Sequence, residues 1–145
     1  MFVDTYTLLA DALSLTSSAA FTSTYDSGAA GNEIGAGEPL SLAIAVDVAA
    51  DATTGDETYA FSIEESASAA QTSPTTLVSR TISRTLLTAG SLHYIDLPAG
   101  AKALRYLGGY YTGGGTTPTI TVTSWFCPTS MKDKVKAYPK GYTVQ

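Results

Sequence analysis

A chain of 145 residues fits one domain, because a core of that size buries roughly 68–70% of the surface its unfolded chain would expose. Hydrophobic residues make up 44% and charged residues 14%, well under the usual share of about 25%, so the chain reads as globular with a surface built from Ser, Thr, Gly and Ala. The formal charge of −5 argues against nucleic-acid binding, which needs clustered Lys and Arg, and no run approaches the roughly 20 apolar residues of a membrane-spanning helix.

The opening Met1-Phe2-Val3-Asp4 lacks the basic stretch of a secretory signal, which points to synthesis and use in a cytosol. Asp4–Leu13 admits two readings: a helix capped by Asp4 with Leu8, Leu9, Ala12 and Leu13 on one side, or an extended arm favoured by Thr5 and Thr7. Residues 14–27 are mostly Ser, Thr and Ala, and are expected to stay disordered or to order against a partner. Turn residues fill Gly28 to Gly37. Gly35-Ala36-Gly37 leads into a strand, whereas a phosphate-binding loop would follow a strand and open a helix.

Period-2 alternation then dominates. Leu40, Leu42, Ile44, Val46 and Val48 point one way and Ser41, Ala43, Ala45 and Asp47 the other, the pattern of a half-buried strand. Thr58–Glu65 repeats it with Tyr59, Phe61 and Ile63, and Thr119–Phe126 with Ile120, Val122 and Phe126, leaving Trp125 for the outer or second face. Ser91–Leu97 and Ala103–Tyr111 carry apolar residues on both faces, as strands covered on both sides do. Between these lie turn signals at Thr53-Thr54-Gly55-Asp56, Ser73-Pro74, Pro98-Ala99-Gly100 and Gly113-Gly114-Gly115, and Ser66–Ala70 reads as a strand end or bulged loop. Strands at short spacing without helical periods predict an all-β antiparallel sandwich. Residues 1–129 form its single domain, including an N-terminal arm over about residues 1–27, and residues 130–145 form a basic C-terminal tail. Residues 1–129 carry −8 and the tail carries +3, so the tail alone suits an acidic partner surface.

Reactive constellations are scarce. Catalysis of hydrolysis or transfer near neutral pH usually pairs a base with a nucleophile. The single histidine, His93, lies in a strand, and the single cysteine, Cys127, follows Trp125-Phe126, where a thiol behaves as a small buried hydrophobe. A lone cysteine forms no internal disulfide, and one His with one Cys makes no zinc tetrad. Asp51, Asp56 and Glu57 around Gly55 read as a polar turn rather than a calcium loop, and Glu64 and Glu65 face opposite ways. No catalytic residue, metal or cofactor is expected. The nine tyrosines bring apolar area with a polar tip, which suits interfaces. Tyr110 and Tyr111 divide evenly between core and interface, and Tyr138 and Tyr142 favour interface.

An ordered series of short segments carries a resemblance: Met1-Phe2-Val3-Asp4, Asp11–Thr16, Tyr25-Asp26-Ser27-Gly28, Gly35–Leu40 and then the apolar strand. Leu87-Thr88-Ala89-Gly90, Leu97-Pro98 and Leu104-Arg105-Tyr106-Leu107 follow before Tyr110. In this order and spacing the chain resembles the jelly-roll capsid cement (decoration) proteins of tailed bacteriophages of the Bordetella-phage type, across most of residues 1–111. Residues 128–145 depart from that pattern. The resemblance implies a jelly-roll sandwich on the outer surface of a virion, assembled in the host cytoplasm. It would clamp the major capsid protein and self-associate as a dimer or trimer. The segments expected to make the contacts are Phe2, Val3 and Tyr6 at one end, Tyr110 and Tyr111, and Lys132, Lys134, Lys136, Tyr138 and Tyr142 in the tail. The rival from another class is a virion-surface receptor- or glycan-binding module stacking sugar on Trp125, Tyr110 and Tyr111. A small hydrolase built on His93 is the remaining alternative.

Overall fold

The computed structural model of the protein describes residues 6–30 and 39–134. Among these the strands are β1 (Leu8–Leu15), β2 (Ala19–Ala20), β3 (Tyr25–Asp26), β4 (Leu40–Val48), β5 (Thr58–Ser66), β6 (Thr75–Ile82), β7 (Leu92–Asp96), β8 (Tyr106–Gly114) and β9 (Ile120–Pro128), with 3-10 turns at Arg84–Leu86 and Thr129–Lys134. They form two antiparallel sheets packed as a sandwich. The first runs β1-β9-β4-β7, and the second runs β2-β8-β5-β6, with β3 also paired to β8.

Alternation builds the core as expected. Leu42, Ile44 and Val46 from β4 and Ile120, Val122 and Phe126 from β9 face Tyr59, Phe61 and Ile63 from β5 and Leu107 and Tyr111 from β8, all of them buried. Each such side chain contributes roughly 1.5–3 kcal/mol by leaving water. The sequence reading errs on the other face of β4. Ser41, Ala43 and Ala45 are buried as well, so the strand is covered on both faces and is not half-buried.

Residues 8–27 are not an arm. β1 pairs with β9 along Leu8↔Trp125 to Leu15↔Ile120, and β2 and β3 pair with β8 through Ala20↔Tyr110 and Tyr25↔Leu107. Phe21, the one large apolar residue in a run of Ser, Thr and Ala, fastens this segment. Its amide donates to Gly109 O at 2.8 Å, and its ring lies where a Cβ on Gly109 would stand, 2.3 Å from the nearest ring carbon. Glycine at 109 is therefore what allows residues 19–26 to close on the sheet. Asp4–Leu13 resolves as strand from Leu8 onward, and no helix forms there among the described residues.

Three of the four sheet edges are irregular, whereas the fourth, β7, pairs with β4 over five residues without a shift. β1 carries register shifts on both sides of Ala10, and Ala12 has φ +45°, its amide taken by Thr123 Oγ1 at 3.0 Å. β2 and β3 are two residues each. β6 shifts register at Leu77 and turns Arg80 onto the inner-face row with Phe61, where the guanidinium donates to Tyr94 O of β7 at 2.9 Å. A shift, a short strand and an inward charge each hinder pairing with another chain.

The strand directions sort the connections. At one end of the sandwich lie the β1–β2, β4–β5, β6–β7 and β8–β9 connections. At the other end lie β3–β4, β5–β6 and β7–β8, together with the start of β1 and the finish of β9.

Candidate interaction surface

The terminal end holds Tyr6 and Lys132, two of the contact residues the sequence singled out. Because β1 and β9 are antiparallel with Leu8 opposite Trp125, the two ends of the described fold leave the sandwich side by side, and Phe126 N donates to Thr7 O at 3.0 Å. Tyr6 stands 84% exposed at the head of β1. After β9, Thr129 N donates to Pro39 O at 2.7 Å and the 3-10 turn Thr129–Lys134 begins. Lys132 pairs with Asp96, which also accepts a hydrogen bond from Ser41 Oγ at 2.7 Å, and that contact with Lys132 holds the Asp96 carboxyl below its usual range. Tyr94 Oη donates to Lys132 O at 2.9 Å, and the Lys132 ammonium sits 5.4 Å from the centre of the Tyr94 ring. Phe2, Val3, Lys136, Tyr138 and Tyr142 lie outside the described residues, as does the side chain of Lys134.

The tyrosine pair separates. Neighbouring residues of one strand face opposite ways, and β8 turns Tyr110 outward, opposite Ala20 and Ser62, while Tyr111 enters the core. Tyr111 is fully buried, 5.4 Å from the Phe61 ring centre and 6.1 Å from that of Tyr59. Burial pushes its hydroxyl up to about 12, and its oxygen has no hydrogen-bond partner among the described residues. The expectation of Tyr111 as a contact residue is corrected accordingly. The sugar-stacking arrangement fails with it: Trp125 lies on the outer side of the first sheet, Tyr110 on the outer side of the second, and Tyr111 between them. Three aromatic rings in three layers make no common platform.

Geometry also separates the reactive groups. His93 is opposite Ile44 on the inner-face row of the first sheet, whereas Cys127 is opposite Ser41 on the outer face, so no Cys–His pair forms. His93 Nε2 donates to Leu86 O at 3.0 Å and lies 3.1 Å from Ser91 Oγ, and burial lowers its basicity. Burial raises the Cys127 thiol, the reverse of what a nucleophile needs.

The carboxylates at the opposite end serve the turns. Glu57 accepts from the Thr54 hydroxyl, from Thr54 N and Gly55 N at 2.9 Å each, and from Arg84 Nη1 at 2.8 Å. Its carboxyl is held at about 2, first by the Thr54 hydroxyl and then by these amides. Asp51 accepts from Thr53 N at 3.0 Å, and Asp56 from Thr116 N at 3.1 Å. Among the described residues no group of three or more His, Cys, Asp or Glu is placed to hold a metal.

One feature lay beyond the sequence reading. A second apolar cluster of Ala43, Ala45, Trp125 and Cys127, packed with Leu8, Leu92 and Tyr94, occupies the outer face of the first sheet. Its cross-strand row reads Leu8, Trp125, Ala43, Tyr94. The signal was present as Trp125, Tyr94 and Leu92 at outward parity.

Compared with known proteins, residues 9–124 match the family model Bbp16, a span from β1 to most of β9. No curated protein matches the chain.

Proposed function

The chain belongs to the Bbp16 family, and we propose that it is a non-enzymatic bacteriophage capsid cement, or decoration, protein. In this reading it binds the outer face of the major capsid protein shell, stabilises that shell and self-associates there. The family name points to a bacteriophage protein. With β2 and β3 taken as one interrupted strand, the sheet orders β1-β9-β4-β7 and β2/β3-β8-β5-β6 support an eight-stranded jelly roll. The observation that carries the reading is the antiparallel β1–β9 register, which sends both chain ends from one end of a rigid sandwich. A small body gripping neighbouring subunits by two adjacent arms gains through effective concentration even when each contact is weak.

The test is occupancy on purified shells. Chains lacking residues 1–5 or 135–145 keep the described strands and bind shells with reduced occupancy, and loss of both segments reduces it further. A cut at residue 12 is unsuitable, since it removes Leu9 and Ala10 from the core. Shells decorated fully by the doubly truncated chain would overturn the role of the arms. Absence of decoration by the intact chain would overturn the cement reading itself.

A further inference from the structure

Of the four sheet edges, β7 is the regular one. It pairs with β4 over Leu92–Asp96 with no shift in register, and no other strand lies against it among the described residues. An antiparallel ladder alternates the direction of its backbone groups. Here the alternation is fixed by Val46 N, which donates to Ser91 O at 3.0 Å, and by Leu97 N, which donates to Leu40 O at 2.9 Å. Ser91, His93, Ile95 and Leu97 therefore turn their backbone groups to β4, and Leu92, Tyr94 and Asp96 turn theirs outward. The Tyr94 carbonyl shows the direction, since Arg80 reaches it at 2.9 Å from β6, the edge of the other sheet. A regular edge of this kind is a template for an added strand.

We propose that the outer edge of β7 takes an extended, carboxylate-bearing segment of a shell subunit as a fifth strand of the first sheet, and that Arg80 is the side chain that admits it. This rests on the cement reading and names one contact within it. In the free protein Arg80 covers the Tyr94 carbonyl from an exposed position, so an incoming backbone amide can replace it there. The displaced guanidinium then stands beside the new strand, where a carboxylate satisfies it with a two-pronged, charge-assisted pair. At the Asp96 end the same edge is flanked by the Lys132 ammonium. Two cations against the single carboxylate of Asp96 leave this border positive on a body whose residues 1–129 carry −8, so charge selects an acidic strand. A second copy fits less well, because pairing β7 with its own equivalent about a two-fold axis brings two Arg80 guanidiniums to one seam. A ladder of five residues is a weak contact, and a weak contact suffices where a shell repeats its site.

Proline is tolerated on an edge strand where its missing N–H would face away from the sheet. Leu92→Pro therefore removes an outward donor and spares the β4 ladder, while Leu92→Ala gives up similar apolar area and keeps the donor. On purified shells Leu92→Pro should show several-fold lower occupancy than Leu92→Ala, Arg80→Glu should fall likewise, and Arg80→Lys should retain more than Arg80→Glu. Far-UV circular dichroism and sedimentation of the free variants should match the unaltered chain. In the unaltered chain, the Leu92 and Asp96 amides should exchange rapidly in solution and many-fold more slowly on the shell, a reading that needs no substitution. Equal occupancy of Leu92→Pro and Leu92→Ala, or amides left unprotected on decorated shells, would overturn the edge assignment and leave the cement reading standing. Loss of self-association in Leu92→Pro would give the edge to a second copy and overturn it as well. Absence of decoration by the unaltered chain would remove the cement reading and this inference together.

Discussion

The two ends of the sandwich hold their chain in different ways. At the turn end each acidic side chain is consumed locally: Asp51 caps its own turn, Asp56 takes the β8–β9 turn through Thr116, and Glu57 joins the β4–β5 turn to Arg84 after β6. Backbone bonds from Asp51 N to Thr119 O and from Ala50 N to Leu87 O add to this, so the turn end is closed by residues of the sandwich itself. At the terminal end the ion pairs Asp26–Arg105 and Asp96–Lys132 are more open to solvent. A buried carboxylate with four donors makes a fixed corner, whereas exposed pairs are easily exchanged for contacts with another surface.

The largest effect should fall on the wall between the ends. Phe21→Ala is expected to cost about 3–5 kcal/mol in equilibrium unfolding, because it empties the space over Gly109 and loosens residues 19–26. A wild-type midpoint in urea would show that β2 and β3 add nothing to stability.

Acid should separate the ends next. Glu57 and Asp26 are each held at about 2, below unfolded values of roughly 4.3 and 3.9. Depressed carboxyls contribute fully above about pH 5, and the contribution is withdrawn as pH falls toward 2. Glu57→Gln should lower stability at pH 7 and flatten its fall in acid. Asp26→Asn should do so far less, since its carboxylate is 44% exposed beside Arg105. Equal flattening by the two substitutions, followed by chemical denaturation at stepped pH, would erase the distinction.

Tyr111→Phe removes a buried hydroxyl with no hydrogen-bond partner among the described residues and should leave the midpoint unchanged or raise stability by up to about 1 kcal/mol. The smallest change belongs to Lys132→Gln at the terminal end, at about 0–1 kcal/mol and diminished further by salt. A thermal melt that placed it above Glu57→Gln would invert the comparison.

How much was legible follows from where the alternation is clean. β4 was read at its observed limits and β5 and β9 within two residues, because Leu42, Ile44, Val46, Tyr59, Phe61, Ile63 and Val122 all face one dry interior. β6 was missed because an edge strand can turn Arg80 inward to reach Tyr94 O and leave Thr75, Thr76, Ser79 and Thr81 exposed. β1 was hidden by its own irregularity: the shifts around Ala10 put Leu9 and Ala10 both in the core and break the period of two. β2 and β3 are too short for any period, and Phe21 alone marked them. At the candidate surface, Tyr6 and Lys132 were chosen from sequence, but their lying at one end of the sandwich depends on β1 meeting β9 across more than a hundred residues. The outer cluster under Trp125 was obscured by Ala43 and Ala45, which look like surface residues in an uncharged chain.

The irregular edges carry a consequence for crowding. Where copies stand shoulder to shoulder, a long flat border strand would let one molecule zip onto the next and grow into insoluble ribbons. Here the kinked border of β1, the stub-like β2 and β3, and the inward Arg80 of β6 deny a neighbour a continuous template. Along these three edges, close lateral packing is thereby possible without strand-to-strand polymerisation.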